Sequence, residues 1–202
     1  MPADQPDHHE AAPVCVWLTG LPAAGKTTLS RSVADEFGAR GCPVAVFDGD
    51  RVRAALAPAL GFTRADRHRN VVGVAGMAVE ALDRGECVVV ALVSPFRDAR
   101  AEARAIVEAS GHAFIEVHVD APVEVCIDRD PKGLYARALA GEISDFTGVD
   151  GAYETPETPD VRVDTAQMDV AEATARILSC VEGRDPPAAS RPSTPPSRSV
   201  VS

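Results

Sequence analysis

The sequence predicts a doubly wound, three-layer α/β domain built on a parallel sheet. Short apolar runs alternate with helical patterns along the chain, and the connections between them are mostly short. The run CVVVALV at residues 87–93 is apolar almost throughout, rather than at every second position, which indicates a strand buried on both faces. Ligands of such sheets bind at the carboxyl ends of the strands, so the segment after each strand is where a site is expected.

The elements follow one another in a regular order. Strands are predicted at residues 14–19, 43–47, 87–93 and 114–119, with a weaker fifth at 161–165. Helices are predicted at residues 26–40, about 66–84, 98–110, 122–128 and 169–182. Residues 1–13 and 183–202 contain few large apolar side chains, and the second of these tails is dominated by Pro, Ser and Arg. We therefore expect two disordered tails around one domain at 14–182.

The composition of the chain excludes several classes of protein. Its 202 residues fit one domain, and the 46% of hydrophobic residues are enough for a buried core. A net charge of −10 argues against binding to nucleic acid or to an anionic membrane. No apolar run approaches a membrane span, and the acidic, polar start is not a signal peptide. The five dispersed cysteines are typical of reduced thiols, so a cytoplasmic protein is predicted.

The first strand runs directly into a phosphate-binding motif, GLPAAGKT at residues 20–27. This segment fits the P-loop pattern G-x-x-x-x-G-K-[ST], in which backbone N–H groups and a helix N-terminus surround phosphate. Lys26 is predicted to reach the β and γ phosphates, and the Thr27 hydroxyl to coordinate Mg²⁺. The predicted contacts to ATP or GTP with Mg²⁺ are Gly20, Leu21, Pro22, Ala23, Ala24, Gly25, Lys26, Thr27 and Thr28. The N-K-x-D motif of GTPases is absent, and the size of the chain favours a small-molecule kinase.

Two carboxylates and a group of arginines follow the second strand. Asp48 and Asp50 alternate on an extended segment, so both are expected to project toward the cleft. One carboxylate could accept the proton of an acceptor hydroxyl and the other could hold the waters of a metal ion. An N-cap with a surface Asp is the alternative. The arginines favour an acceptor that carries its own anionic group, or else form a solvated helix face: Arg51, Arg53, Arg64, Arg67 and Arg69.

Two further segments are candidates for the site. Ser94 lies at the end of the third strand in the segment SPFRDAR, where it could coordinate, position or carry a phosphoryl group, or form a turn. Residues 129–160 form a connection too long to be passive, and a kinase needs a lid that excludes water. Arg129 would begin this lid near the nucleotide, and Lys132, one of two lysines in the chain, lies within it.

The motifs together resemble those of the adenylyl-sulfate kinase (APS kinase) family. The resemblance extends from about residue 14 to residue 165 and includes DGDRVRAAL, LGFTRADRHRN, SPFRDAR and the block DPKGLYARALAGEISDFTGVDGAYETPETPD. It implies a P-loop fold with a five-stranded parallel sheet, often dimeric, that uses ATP and Mg²⁺. It also implies transfer of the γ-phosphoryl group of ATP to the ribose 3′-hydroxyl of adenosine 5′-phosphosulfate (APS), giving PAPS, with a functional link to ATP sulfurylase.

The resemblance also implies roles for individual residues. Acceptor contacts are expected at Arg53, Phe62, Arg67, Asn70, Val93, Ser94, Lys132, Leu134 and Phe146. Of these, Val93 and Ser94 would use backbone groups, Lys132 and Leu134 would close from the lid, and Phe146 would stack on the adenine. Asp50 is the expected base and Asp48 the metal-water contact, although the two could be exchanged. Some bacterial members are proposed to phosphorylate a serine at the position of Ser94, but direct in-line transfer is the favoured route.

The chain departs from the family pattern at several positions. Pro22 and Ala23 replace a usual Ser-Gly, Arg69 replaces an acid, and Val72 and Gly73 replace two arginines. Leu92 replaces a Phe and Ala99 replaces an acidic residue. Ala136 and Leu139 replace basic residues of the lid. Pro22 and Ala23 should stiffen the loop without removing its N–H groups beyond position 22, and the other changes bear on the acceptor rather than on phosphoryl transfer. They leave two alternatives, which are a kinase of this family with another anionic acceptor and a non-catalytic nucleotide-binding partner of a sulfurylase.

Overall fold

Five parallel strands form one sheet in the part of the chain that the computed structural model describes, residues 12–49, 52 and 61–183. The strands are Val14–Thr19 (β1), Val44–Asp48 (β2), Cys87–Ala91 (β3), Ala113–Asp120 (β4) and Val161–Asp164 (β5). Their spatial order is β2-β3-β1-β4-β5, with Cys15 paired to Val88 and Phe114. The chain therefore moves to one side of β1 and then to the other, and a cleft opens at the carboxyl end of β1.

Helices cover both faces of this sheet. They are Lys26–Ala39 (α1), Arg64–Asp83 (α2), Arg97–Ala109 (α3), Val123–Arg129 (α4), Leu134–Leu139 (α5) and Val170–Glu182 (α6). Helices α1 and α6 pack together on one face, and α2 and α3 pack together on the other. This three-layer α/β architecture confirms the fold class predicted from the alternation of strands and helices.

Small and branched apolar side chains fill both layers of the core. Under α1 and α6, the side chains of Leu29, Val33 and Ile177 are almost completely buried. On the other face Trp17 stacks on Phe114 with ring centroids 5.6 Å apart, and Ala78 of α2 is fully buried. The alanines of α2 and α3 allow these helices to approach the sheet closely, which is how a chain with few aromatic residues excludes water.

The element boundaries differ in places from those predicted. Strand β3 ends at Ala91 rather than at residue 93, since the backbone turns away to bring Ser94 to a φ of 43°. Helix α2 begins at Arg64, one turn after Gly61, because the Thr63 side chain accepts a hydrogen bond from the backbone N–H of Asp66. Helix α5, in the predicted lid, was not expected at all. Residues 1–11 and 184–202 lie outside the described residues, so disorder of the tails stays a prediction.

The described helices were also compared with the dimensions of a membrane. None of them, within residues 12–49, 52 and 61–183, combines the length and the apolar character needed to cross a bilayer.

Candidate active site

The phosphate-binding motif forms a tight loop between β1 and α1. Gly20 lies so close to β4 that a Cβ atom there would be 2.3 Å from the carbonyl oxygen of Val119, so only glycine fits. Gly25 caps α1 with a φ of 102°, again a conformation that favours glycine. The ammonium group of Lys26 is nearly buried and donates to the carbonyl oxygens of Gly20 at 2.9 Å and Leu21 at 2.7 Å. The lysine is thus held inside the loop where phosphate is expected.

The two positions at which the loop departs from the family pattern have structural consequences. Ala23 adopts a φ of 61°, a left-handed conformation that costs a residue with a Cβ about 1–3 kcal/mol. The carbonyl oxygen of Pro22 accepts a hydrogen bond from the Tyr135 hydroxyl at 3.2 Å. The loop therefore carries backbone strain at Ala23 and is held at Pro22 by a contact from helix α5.

The predicted metal-binding residues lie next to each other. The hydroxyl of Thr27, on the first turn of α1, donates to Asp48 Oδ2 at 2.7 Å, and Asp48 is the last residue of β2. Both residues follow strands of the same parallel sheet, Thr27 through the loop after β1 and Asp48 at the end of β2, so they meet at the carboxyl edge of the sheet. Two neighbouring oxygen atoms of this kind suit Mg²⁺, which is commonly held by one or two protein ligands together with waters and phosphate oxygens.

Arg129 is connected to the phosphate-binding loop by Thr165, a residue that the sequence analysis missed. Its guanidinium group donates to the side-chain oxygen of Thr165 at 3.0 Å and to the carbonyl oxygen of Thr165 at 2.6 Å. The Thr165 hydroxyl in turn donates to the carbonyl oxygen of Ala24 at 2.8 Å, and its methyl group would be 3.5 Å from a Cβ on Gly25. Thr165 follows β5 directly, so the rule that sites follow strands could have identified it.

Phe62, Arg67 and the segment 145–147 come together on the opposite side of the cleft. Arg67 donates to the carbonyl oxygen of Asp145 at 2.6 Å and to the Thr147 hydroxyl at 3.3 Å. It also donates to the carbonyl oxygen of Phe62 at 2.8 Å and lies over that ring, 5.6 Å from its centroid. Phe62 is 59% exposed, a high fraction for an aromatic residue. Arg67 thus connects α2 to the predicted lid beside an exposed aromatic surface.

The ring of Phe146 is held by a rigid loop. Asp150 accepts hydrogen bonds from the backbone N–H groups of Asp145 at 2.9 Å and Phe146 at 2.8 Å. These bonds lower the pKa of the Asp150 carboxyl. The Phe146 ring meets Tyr135 edge to face, with centroids 5.0 Å apart, and a Cβ on Gly148 would be 2.9 Å from the Tyr135 hydroxyl. The loop that presents Phe146 is therefore packed directly against the residue that contacts the phosphate-binding loop.

Ser94 is buried and its hydroxyl is engaged. Only 2% of the residue is exposed, and Trp17 Nε1 donates to the Ser94 hydroxyl at 3.0 Å. The peptide bond before Ser94 is also held, because the Thr19 hydroxyl donates to the carbonyl oxygen of Val93 at 2.7 Å. Thr19 further contacts the hydroxyl of Tyr153 at 3.1 Å, and burial raises the pKa of Tyr153 to about 12. The hydroxyl of Ser94 thus takes part in a buried network.

A second residue that the sequence analysis missed is Arg100. Its guanidinium group is 3% exposed and lies beneath the end of β3. It donates to Glu116 on β4 and to the carbonyl oxygens of Ser94 and Glu154, each at 2.7 Å. Nothing in the repetitive RDARAEARA sequence of α3 distinguishes Arg100 from its neighbours, so its place could not be found from sequence.

The remaining predicted residues fall into two groups. Asn70 lies on α2 one turn beyond Arg67, on the same face of the helix, and Leu134 begins α5. Lys132 is exposed in the turn between α4 and α5. Asp50 and Arg53, together with Arg51, lie outside the described residues, so nothing here tests their predicted roles.

Comparisons with known proteins agree with this geometry. The family model described as adenylylsulphate kinase matches residues 12–164, about three quarters of the chain. The chain belongs to the adenylylsulphate kinase family. Adenylyl-sulfate kinases of two Synechococcus strains, JA-3-3Ab and JA-2-3B'a(2-13), are 52% and 47% identical to it, and the matches cover 82% and 85% of this chain and 92% and 95% of theirs.

A solved structure of the adenylylsulphate kinase family has the same fold. The Mycobacterium tuberculosis APS kinase CysC in complex with AMPPNP and APS superimposes with a TM-score of 0.82 at 37% sequence identity, covering 85% of this chain and 98% of that one. The predicted family, fold and enzyme class, a kinase that transfers phosphate to a hydroxyl group, are therefore confirmed. The matched region includes both the phosphate-binding loop and the segment 145–147.

Proposed function

We propose that this chain transfers the γ-phosphoryl group of ATP to the ribose 3′-hydroxyl of adenosine 5′-phosphosulfate, giving PAPS and ADP. The observation that carries the proposal is the pairing of two half-sites across one cleft. Lys26, Thr27 and Asp48 lie on one side, and Arg67 with the segment 145–147 lies on the other. The adenylyl-sulfate kinases that resemble the chain, one of them with a solved structure in complex with AMPPNP and APS, support this choice of donor and acceptor.

On the donor side, the chain provides the contacts that a nucleoside triphosphate needs. Lys26 already lies within the loop, bonded to two loop carbonyl oxygens, and these bonds are exchanged for phosphate when ATP enters. Arg129, bonded to Thr165 behind the loop, is placed to contact the nucleotide. Residues 20–28 form the cradle, and N–H groups beyond Pro22 donate to phosphate oxygens.

Thr27 and Asp48 fit a magnesium ion. Their oxygen atoms are 2.7 Å apart, and both are the hard donors that this ion prefers. Mg²⁺ in such sites is held by one or two protein oxygen atoms together with phosphate oxygens and water. When bound, Mg²⁺ neutralises charge on the transferred phosphoryl group.

On the acceptor side, an aromatic surface and a cation suit a nucleotide that carries an anionic group. Phe62 and Phe146 offer ring faces for the adenine, and Arg67 offers a guanidinium group between them. Asn70, Val93, Leu134, Arg53 and Lys132 are proposed to complete the acceptor site. The chemistry then requires the 3′-hydroxyl to attack the γ-phosphorus, the bond to the β–γ bridging oxygen to break, and the hydroxyl proton to leave.

We assign proton acceptance to Asp50, with Asp48 in contact with metal-bound water, and the transfer to a direct in-line step. The environment of Ser94 supports the direct route. Only 2% of Ser94 is exposed, and its hydroxyl accepts a hydrogen bond from Trp17. A phosphoryl group on this hydroxyl would have to displace that contact. Ser94 contributes backbone and shape to the site rather than a nucleophile.

An acceptor panel tests the proposed reaction. ADP release is measured with ATP and Mg²⁺ in the presence of APS, AMP or adenosine, and the nucleotide product is identified by mass. We expect turnover with APS to exceed turnover with AMP by at least two orders of magnitude. A different preferred acceptor would support the alternative of a retuned kinase, and retained ATP binding without any turnover would support a non-catalytic partner of a sulfurylase.

The retuned kinase has one specific observation in its favour. On α2, Val72 and Gly73 occupy positions where relatives carry arginine, and Gly73 is exposed one turn beyond Asn70. At Gly73, on the same face of α2 as Asn70, the chain therefore has less positive charge than the family pattern. Restoring it with Val72→Arg and Gly73→Arg together should lower the KM for APS if APS is the acceptor, and should leave it unchanged if the acceptor is another metabolite.

We also propose that the protein is a cytoplasmic homodimer. All five cysteines are free, which is consistent with a reducing compartment such as the cytoplasm. The family resemblance supports a homodimer and a functional link to ATP sulfurylase. Sedimentation of the purified chain with and without ATP tests the dimer. The product and substrate of the two enzymes connect them chemically, whether or not the proteins bind each other.

A further inference from the structure

The guanidinium group of Arg100 is buried, and each of its three nitrogen atoms donates a hydrogen bond. Nε donates to Glu116 Oε1, Nη1 to the carbonyl oxygen of Ser94 and Nη2 to the carbonyl oxygen of Glu154, each at 2.7 Å. The side chain of Glu116 is itself only 14% exposed. One planar group therefore joins the turn after β3, the strand β4 and the segment around residue 154. Only arginine has donors at the spacing that this arrangement requires.

The peptide that Arg100 holds is a strained one. Ser94 has a φ of 43°, a conformation that residues with a Cβ rarely adopt unless their surroundings enforce it. Its carbonyl oxygen accepts from Arg100 and, at 3.4 Å, from the Thr19 hydroxyl, while its own hydroxyl accepts from Trp17. Buried contacts thus fix this residue on both its backbone and its side chain, and Arg100 supplies the charged one.

The same guanidinium group also fixes the segment that faces this turn. Glu154 donates its backbone N–H to the carbonyl oxygen of Pro95 at 2.7 Å, and its side chain accepts from the backbone N–H of Arg97 at 2.8 Å. Tyr153, next to it, contacts the Thr19 hydroxyl. Segment 153–154 and turn 93–97 therefore form one unit, and Arg100 lies at its centre.

We propose that Arg100 is a positioning residue that sets the geometry of the acceptor site through the backbone of Val93 and Ser94. The inference rests on the proposed function, in which those two backbones contact the acceptor. Arg100 itself is almost completely buried and touches no substrate, so its effect passes through the peptide that it holds. We expect it to act on the acceptor rather than on ATP, because the residues that it bonds to, Ser94 in the turn after β3, Glu116 on β4 and Glu154, do not belong to the phosphate-binding loop at residues 20–28.

The test compares Arg100→Lys with Arg104→Lys. Arg104 lies one turn further along α3, and its side chain is 26% exposed. It bonds to Asp160, Glu108 and the carbonyl oxygen of Phe114 rather than to Ser94, and lies 4.0 Å from the other carboxylate oxygen of Glu116. Lysine keeps the charge in both variants, but its three N–H donors lie on one nitrogen and cannot match acceptors spaced around a planar guanidinium group. We expect Arg100→Lys to raise the KM for the acceptor at least tenfold, with the KM for ATP within about twofold of wild type. Arg104→Lys should lower the thermal midpoint without changing the ratio of the two KM values.

A spectroscopic measurement separates positioning from general destabilisation. Trp17 is the one tryptophan of the chain, and its indole N–H is bonded to Ser94, so its fluorescence reports on the turn that Arg100 holds. The emission of Arg100→Lys should differ from wild type at a temperature at which both are fully folded, and that of Arg104→Lys should not. Equal changes in both variants, or an unchanged acceptor KM in folded Arg100→Lys, would overturn the proposal.

A milder variant keeps the proposal testable if Arg100→Lys does not fold. Thr19→Val retains the branched shape in β1 and removes the hydroxyl that donates to the carbonyl oxygens of Val93 and Ser94. It should raise the acceptor KM about threefold or more and leave the KM for ATP unchanged, and no change in either would count against the role of this turn. Wild-type protein without APS turnover would refute the proposed function, whereas normal wild-type turnover with unchanged variants refutes only the positioning role.

Discussion

The hydroxyl of Tyr135 donates to the carbonyl oxygen of Pro22, 3.2 Å away. This hydrogen bond joins helix α5, in the predicted lid, to the phosphate-binding loop. The same tyrosine ring meets Phe146 edge to face, so one side chain touches the loop expected to hold ATP and the ring expected to hold the acceptor. Burial raises the pKa of Tyr135, so its hydroxyl keeps its proton and donates throughout the range in which the protein is assayed.

Tyr135→Phe should weaken ATP binding while the protein stays folded. A neutral hydrogen bond contributes about 0.5–1.5 kcal/mol, which corresponds to a rise in the KM for ATP of about two- to tenfold. The ring and its contact with Phe146 are kept. Tyr153→Phe is the matched control, because it removes a hydroxyl bonded to Thr19 on the acceptor side and should leave the KM for ATP unchanged. Steady-state kinetics with both substrates varied makes the measurement, and an unaltered ATP KM in Tyr135→Phe would contradict the coupling.

Gly20→Ala should abolish ATP binding. The added Cβ would be 2.3 Å from the carbonyl oxygen of Val119, a backbone atom of β4 that cannot move aside without disturbing the sheet. The loop must shift instead, and we expect ATP affinity to fall at least 100-fold, with a lower thermal midpoint. Gly38→Ala is the control, because no atom lies within 4 Å of its added Cβ and alanine favours the helix by about 0.5–1 kcal/mol. Calorimetric titration with a non-hydrolysable ATP analogue is the measurement.

Asp48→Asn should impair the use of magnesium. The amide keeps the shape of the side chain and can still accept the hydrogen bond from Thr27, but it removes the negative charge beside the proposed ion. We expect the half-saturating concentration of Mg²⁺ to rise at least tenfold and kcat to fall about 100-fold. Asp35→Asn, which removes an exposed charge from the outer face of α1, should change neither value. An unchanged magnesium dependence in Asp48→Asn would remove Asp48 from the metal site.

The architecture was predicted correctly from the sequence, and a donor side could be proposed from it, because both have local signals. Near-continuous apolar runs predict buried parallel strands, and the fixed spacing of Gly20, Lys26 and Thr27 predicts the loop. Asp48 could be found because it follows a strand. Phe62, Arg67 and Phe146 were taken from the family resemblance, and the structure brings all three to one side of the cleft.

Features that depend on contacts between distant segments could not be predicted. Helix α5 begins where it does because Asp130 accepts the backbone N–H groups of Tyr135 and Ala136, after Gly133 with a φ of 64°. The burial of Arg100 depends on carbonyl oxygens 6 and 54 residues away in the chain. Thr165 contacts Ala24 across 141 residues. No local pattern encodes such pairings, since they exist only once the sheet has assembled.

Lys132→Ala should raise the KM for the acceptor far more than the KM for ATP. Lys132 is exposed in the turn before α5, at the point where the predicted lid leaves the nucleotide side of the cleft. A charged hydrogen bond to an anionic acceptor contributes about 1.5–3 kcal/mol, so its loss corresponds to a rise of about ten- to 100-fold. Arg137→Ala is the control for charge alone, because Arg137 is an exposed cation of α5 paired with Glu142 at 3.1 Å. Equal effects on both substrates, or an equal effect of Arg137→Ala, would show that Lys132 acts through the general charge of the lid rather than on the acceptor.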